Sequence, residues 1–269
     1  MTLVTELIRR IHEDDVWGMA AQLAYFFLLS LFPLLLFLVT LLPYLPISPE
    51  DILAVIREYA PEDSMKLIEH NLGEIMNQNG RLLSFGAIAT IWSASNGLAS
   101  IVKAFNKAYD VKESRHFLLA RAMSILLTFA MVFVFVIALL LPVFGMQIGV
   151  FLTSAYGFTD EFLQIWNAMR WLISFMLLFM VFTVLYWIAP NVKQKCRHVL
   201  PGAAFASVGW NFVSLAFAYY VESYGNYSAT YGSIGGVIVL MIWFYLLGII
   251  IIFGGEINAM SSARRNPNC

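Results

Sequence analysis

A carboxylate and an amide lie together near the end of the last apolar run of this sequence. Glu256 follows two glycines, Gly254 and Gly255, and Asn258 comes two residues later. A carboxylate beside a membrane-spanning segment can act as a gate or as a proton- or substrate-linked group, and the glycines allow a close backbone approach. The same carboxylate can instead be structural, paired at a helix end with a nearby arginine or lysine. The sequence favours the structural interpretation, because ion pairs of this kind are often structural.

Several amide, hydroxyl and aromatic side chains lie in or near the apolar runs and could line a polar path. Each amide could also form a hydrogen bond between helices. Such a bond contributes about 0.6 kcal/mol on average, and it is the favoured interpretation for any single amide. Together these side chains indicate an interior that is not wholly apolar. The candidate residues for a substrate path are Gln22, Tyr25, Ser30, Pro33, Asn96, Asn106, Asn211, Glu222, Tyr231, Glu256 and Asn258.

Enzyme chemistry finds little support in the residue pattern. Metal-assisted cleavage of a phosphodiester requires clustered carboxylates or histidines, whereas the four histidines are scattered along the chain. Cys196 and His198 alone are too few for a zinc site, which takes four ligands, and no nucleophile–base pair is visible. We therefore expect no enzyme activity, no catalytic residue, no metal and no cofactor. The net charge of −1 argues against a nucleic-acid partner.

The composition predicts which elements must position these side chains. Of the 269 residues, 60% are hydrophobic and 12% are charged, whereas soluble domains carry about 25% charged residues. A helix needs about 20 apolar residues to cross a bilayer. We therefore predict an all-α polytopic membrane protein with a single domain over residues 1–269. The six predicted membrane spans are residues 18–44, 82–101, 122–145, 171–190, 201–221 and 233–256.

Two further segments alternate apolar and polar residues at helical spacing. Residues 2–16 predict a helix that lies in the membrane interface, with Trp17 as its anchor. Residues 48–80 predict amphipathic helices on the outer surface, between the first two spans. These segments add surface helices to the predicted bundle without adding membrane spans.

The placement of lysine and arginine predicts the orientation, because cytoplasmic loops are rich in these residues. Only four of the 16 such residues, Arg57, Lys66, Arg81 and Arg170, fall on the side opposite the termini. Both termini are therefore expected to be cytoplasmic.

Small residues at helical spacing predict close contacts between helices. Gly86, Ser93 and Gly97 mark one such face in the second span, and Gly232 and Gly236 mark another at the start of the sixth. The second pair fits equally well between two spans of one chain or between subunits. It therefore leaves a homo-oligomer open.

Five short motifs carry a resemblance to a known family. They are Ala20–Tyr25 continuing to Leu29–Pro33, Ser95–Leu98 followed by Ala104–Tyr109, Pro201–Ala203, Tyr231–Ser233 and Gly255–Ala259. Their order and spacing over nearly the whole chain resemble the YihY/BrkB-like membrane proteins, a family historically mislabelled ribonuclease BN. The resemblance implies a six-helix protein of the bacterial inner membrane.

Two classes of function fit these observations. No charged side chain lies deep within any predicted span, whereas ion-coupled carriers usually place a carboxylate near mid-membrane. Polar residues without deep charges favour a transporter or exporter of a lipid-like or amphipathic solute, with membrane lipids as partners. The alternative is a non-transporting scaffold that docks protein partners, as yet unknown, on its basic cytoplasmic face or its acidic outer helices.

Overall fold

The computed structural model describes residues 3–44, 79–129, 160–192, 194, 196–224 and 233–265. Most of the amphipathic segment predicted at 48–80 lies outside these ranges, as does the larger part of the span predicted at 122–145. Tyr231 and Gly232 also lie outside the described residues.

The described chain is helical, and no strand occurs in these ranges, so the all-α prediction is confirmed. Short 3₁₀ turns at Leu42–Tyr44 and Cys196–His198 adjoin the longer helices. The helices are α1 (Leu3–Glu13), α2 (Val16–Leu41), α3 (Gly80–Ala108), α4 (Phe117–Phe129), α5 (Asp160–Ile188), α6 (Leu200–Tyr224) and α7 (Ser233–Arg265).

Among the described residues, four stretches are long and apolar enough to cross a membrane: Val16–Leu41, Gly80–Ala108, Leu200–Val221 and Gly235–Ala263. The helices Phe117–Phe129 and Leu172–Ile188 are apolar but shorter within the described ranges. Large apolar side chains on these helices are widely exposed, as a surface that contacts lipid requires. The total of six spans and the orientation remain predictions.

Helix α3 extends seven residues beyond the predicted span 82–101. It ends where Asp110 adopts a left-handed conformation with φ of 53°. The amide of Val111 then donates to the carbonyl of Asn106 and that of Asp110 to Lys107, both at 2.9 Å, which is the Schellman pattern of a helix C-terminus. Hydropathy drops at the first lysine, but the backbone hydrogen bonds continue to this cap. Asn106 and Lys107 therefore lie on the helix.

Helices α5 and α7 are also longer than predicted. Helix α5 begins at Asp160, before the predicted 171, and α7 continues to Arg265, beyond the predicted 256. Polar residues at the helix ends lower the mean hydropathy there without interrupting the helix. Glu256 and Asn258 consequently lie within α7, well before the helix ends at Arg265.

The chain forms two compact units, Met1–Tyr25 together with Ser95–Cys269, and Phe26–Ala94. In the unit Phe26–Ala94, a Cβ atom added at Gly86 would lie 3.0 Å from the backbone of Phe37. This glycine is therefore at a close contact between two helices. The first, which we call the large unit, contains the site described below. Its fully buried large side chains include Phe105, Phe182, Tyr186, Leu247 and Ile251.

Candidate functional site

Helix α1 packs against the rest of the large unit through its apolar face. Ile11 is buried, and together with Val16 and Ala20 it forms a cluster with Ala104 of α3 and Ile252 of α7. The predicted interfacial helix therefore has protein beneath its apolar face. This packing brings its polar side chains to the ends of α3 and α7.

Arg10 connects three helices at this position. Its Nη1 donates to the carbonyl of Ala108 at 3.1 Å, in the last turn of α3, and lies 3.9 Å from Oε2 of Glu256 in α7. Its Nε also bonds Glu6 within α1 at 3.2 Å. A cation at the C-terminus of α3 is favoured by the helix dipole as well as by the carboxylate.

Glu256 is completely buried. Within the described ranges, no N–H or hydroxyl group donates to either of its carboxylate oxygens. Arg10 pairs with it at 3.9 Å, and Asp14 and Lys107 interact with it electrostatically. The buried carboxylate thus depends on neighbouring cations, because an isolated buried charge is costly.

Asn258 joins α7 to the start of α6. Its Oδ1 accepts a hydrogen bond of 2.7 Å from the backbone N–H of Gly202, and both residues are buried. The first N–H groups of a helix have no partner within the helix, so Asn258 satisfies one of those of α6. Gly202 and Gly254 allow this contact, since a Cβ atom at Gly202 would overlap the carbonyl oxygen of Gly254.

The turn after α3 is bonded to the turn after α5 through Asn106. Its Nδ2 donates to Oε2 of Glu113 at 2.9 Å, and its Oδ1 accepts from the backbone N–H of Asn191 at 2.7 Å. Arg115 strengthens the connection by donating to the carbonyls of Ala189 at 3.1 Å and Pro190 at 2.9 Å. These bonds hold the end of α5 beside the end of α3.

Tyr109 adds a second connection between the same turns. Its hydroxyl donates to Oε1 of Gln194 at 2.8 Å, and Nε2 of Gln194 donates to the carbonyl of Tyr186 at 2.7 Å. The hydroxyl of Tyr186 in turn donates to the carbonyl of Ile251 in α7 at 2.7 Å. A series of hydrogen bonds thus runs from the turn after α3, through Gln194 and the end of α5, to α7.

Burial raises the pKa of the Tyr109 phenol well above its usual 10.0, an effect that the Gln194 bond opposes and the Glu256 charge reinforces. The folded chain therefore holds this proton more tightly than the unfolded chain. The contribution of Tyr109 to the free energy of unfolding is complete below pH 10 and is lost as the pH rises further. We expect the stability advantage of the natural chain over Tyr109→Phe to shrink by about 1 kcal/mol between pH 10 and 11. Thermal unfolding in detergent at each pH measures it, and parallel curves for the two proteins would contradict it.

A cavity of about 620 Å³ opens beside these turns, between α3 and α4. Its volume lies within the range of small-molecule sites. Charged, polar and apolar side chains all contribute to its lining, which consists of Asp14, Ala99, Val102, Lys103, Asn106, Lys107, Asp110, Val111, Lys112, Glu113, Phe117, Ala120, Arg121 and Ser124.

One of the amides predicted from the sequence lines this cavity, and a second bonds a residue of its lining. Asn106 lines it, and Asn96 accepts a hydrogen bond of 2.7 Å from Nη1 of Arg121, which positions that guanidinium in the lining. Glu256 does not line the cavity, but Asp14 and Lys107 both line it and interact with Glu256. The structure therefore brings Asn96, Asn106 and Glu256 into one neighbourhood.

The other predicted residues lie elsewhere or bond locally. Gln22 and Tyr25 are exposed, and Pro33 lies inside α2. Ser30 donates to the carbonyl of Phe27 at 2.7 Å, and Asn211 donates to that of Ser207 at 2.8 Å, each within its own helix.

The predicted packing residues also differ in their surroundings. Gly97 is buried and Ser93 half-buried, whereas a Cβ atom at Gly236 would meet no atom within 4 Å.

The side chain of Glu222, a candidate for the substrate path, lies outside the described set.

The basic residues of the cavity were not predicted to be functional. Lys103, Lys107 and Arg121 counted only among the basic residues that predict the orientation. Lys107 does fall within the motif Ala104–Tyr109, and a lysine pair four residues apart at the end of a predicted span was a signal that could have been used. Gln194 and Arg115 carried no such signal.

Comparison with known proteins agrees with the membrane architecture. A family model described as virulence factor BrkB matches residues 7–268. A putative ribonuclease-like protein YfkH of Bacillus subtilis is 54% identical over 266 residues, which cover 98% of this chain and 97% of that protein. No solved structure matches.

More distant relatives carry membrane-protein names. A UPF0761 membrane protein of Aliivibrio fischeri is 29% identical over 94% of this chain and 81% of its own length. A UPF0761 membrane protein of Vibrio campbellii is 28% identical over 97% of this chain and 82% of its own length. With its several long apolar helices, the chain is thus a multi-pass integral membrane protein, and it belongs to the virulence factor BrkB family.

Proposed function

We propose that this protein transports a lipid-like or amphipathic solute across the membrane, with the cavity between α3 and α4 as the place where the solute binds. The observation that carries the proposal is the mixed lining of this cavity. Lys103, Lys107 and Arg121 supply charge, while Val102 and Phe117 supply apolar surface. A solute with a polar head and an apolar body satisfies both parts.

The placement of the lysines alone would not support transport. Basic residues are common at the cytoplasmic ends of membrane helices and need no ligand. A cavity of ligand size beside them does support it, because small-molecule sites are concave and have volumes in this range.

Glu256 has a role in this proposal through its neighbours. Lys107 lines the cavity and interacts with Glu256, which is also paired with Arg10 of α1. An anionic solute would compete with Glu256 for Lys107. Solute binding would therefore alter the interaction that helps to hold α1, α3 and α7 together.

Flux in proteoliposomes tests the proposal. The probe is phosphatidylglycerol with a nitrobenzoxadiazole fluorophore on one acyl chain of both leaflets, and added dithionite bleaches only the label exposed outside. We expect the protein to make the inner label accessible faster than in empty liposomes. Glu256→Gln and Asn96→Leu should slow this flux several-fold, because they alter the partners of Lys107 and Arg121.

Thr183→Val is the matched control. Its hydroxyl bonds the carbonyl of Phe179 in its own helix at 2.8 Å, so its loss should leave flux unchanged. Each variant is used only if it elutes as a single folded species in detergent. Flux through the natural protein no greater than that of empty liposomes would overturn the proposal.

A further inference from the structure

We propose that the cavity recognises a phosphate group, that of an anionic phospholipid, through Lys103, Lys107 and Arg121. This inference rests on the proposed function and specifies the class of its substrate. We call these three residues the phosphate-binding set.

The two lysines form a like-charged pair, of which Lys107 also interacts with the buried Glu256 carboxylate. They lie four residues apart on α3, so their side chains project from the same face, and both are exposed. Within the described part of the chain, neither ammonium lies within 4.0 Å of a carboxylate. Two like charges at this spacing repel each other. An anion bound between them would remove that repulsion.

Arg121 lines the same cavity from the next helix. Its guanidinium is held in the lining by the 2.7 Å bond from Nη1 to Oδ1 of Asn96. A guanidinium presents a planar set of donors that matches the oxygens of a phosphate, while lysines bind phosphate as point charges. The lining thus offers one arginine from α4 and two lysines from α3 as cations for a phosphate.

The acidic residues of the lining belong to the turns at its edge. Glu113 accepts from Nδ2 of Asn106 at 2.9 Å and from the backbone N–H of Arg115 at 3.0 Å, so its oxygens already have donors. Asp110 follows the last turn of α3, and Asp14 lies at the corner between α1 and α2, beside Glu256. The lining formed by the helices themselves is therefore cationic.

The apolar part of the lining favours a lipid over a soluble phosphate. Ala99, Val102 and Ala120 line the cavity together with Phe117, whose side chain is 75% exposed. An acyl chain could lie against the exposed ring of Phe117 while the phosphate remains between the helices. In the predicted orientation the site lies at the cytoplasmic surface of the membrane, where a negative surface potential favours basic residues.

Native mass spectrometry of the detergent-solubilised protein tests the inference. Dipalmitoyl phosphatidylglycerol and dipalmitoyl phosphatidylcholine are added separately, because they share acyl chains and a phosphate but differ in net charge. We expect phosphatidylglycerol to bind about tenfold more tightly. In the double variant Lys103→Gln/Lys107→Gln this preference should disappear, since two charge-assisted contacts are lost.

Arg81→Gln serves as the matched control. Arg81 is an exposed cation on the same helix and does not line the cavity, so its replacement should keep the preference. If the double variant unfolds, Arg121→Gln gives the same test from α4. Equal binding of the two lipids by the natural protein, or a preference that survives in a folded variant of the phosphate-binding set, would overturn the inference.

Glycerol 3-phosphate, added alone, separates the two sources of a phosphate. Weak binding of this soluble probe, at least tenfold below phosphatidylglycerol, supports a lipid. Equal binding of the two would overturn the lipid assignment in favour of a soluble phosphate. Selective lipid binding without flux in proteoliposomes would support the site and contradict transport, whereas flux without selectivity would support transport and contradict the phosphate site.

Discussion

Replacing Gly202 with alanine is expected to lower the apparent melting temperature in detergent by about 10 °C. The added Cβ would overlap the carbonyl oxygen of Gly254 and the side-chain amide of Asn258. One of these is backbone, so α6 and α7 must separate, and overpacking of this kind costs about 1–3 kcal/mol. The separation would also stretch the Asn258–Gly202 hydrogen bond, which adds to the loss. At about 2–4 °C for each kcal/mol, the upper end of that range gives the expected shift.

Gly236→Ala provides the control for the same substitution on α7. A Cβ at this position meets no atom within 4 Å, and alanine favours a helix over glycine by about 1 kcal/mol. Its melting temperature should therefore be unchanged or slightly higher. Size-exclusion chromatography after heating, followed by tryptophan fluorescence, measures both variants. Equal melting temperatures for Gly202→Ala and Gly236→Ala would show that α6 and α7 do not approach as closely as described.

Replacing Arg10 with leucine is expected to destabilise the fold by about 3 kcal/mol, because it removes a partner of the fully buried Glu256 carboxylate. The hydrogen bond from Arg10 to the carbonyl of Ala108 is lost as well. The apparent melting temperature should fall by about 10 °C. Adding Glu256→Gln should recover part of the loss, since a neutral amide at this position needs no counter-charge.

Arg9→Leu is the matched control on the adjacent residue. Arg9 bonds Glu6 at 2.6 Å and Glu13 at 3.1 Å, but its side chain is 47% exposed. Surface ion pairs contribute about 0–1 kcal/mol, so this variant should lose only a few degrees. If Arg10→Leu were no more harmful than Arg9→Leu, or if Glu256→Gln gave no recovery beside Arg10→Leu, the buried pair would not be important for stability.

The predicted and observed bounds of the helices differ mainly at polar helix ends. The start of α6, predicted at 201 and found at Leu200, agrees because proline and hydropathy are local signals. The end of α3 was predicted seven residues early, because a helix ends where its backbone cap forms and not where the first lysine occurs. Patterns of hydropathy therefore locate a helix better than they locate its polar ends, and the candidate site consists of polar ends.

By itself, the sequence determined that this chain is an all-α membrane protein of the BrkB family, because apolar composition and ordered motifs are properties of the linear chain. It also marked Asn96, Asn106, Glu256 and Asn258 as unusual polar residues. Only the tertiary structure decided their partners. Asn258 bonds Gly202 56 residues away, and Tyr109 bonds Gln194 85 residues away. Such pairs depend on how each helix is rotated and where it crosses its neighbour, which packing sets and hydropathy does not.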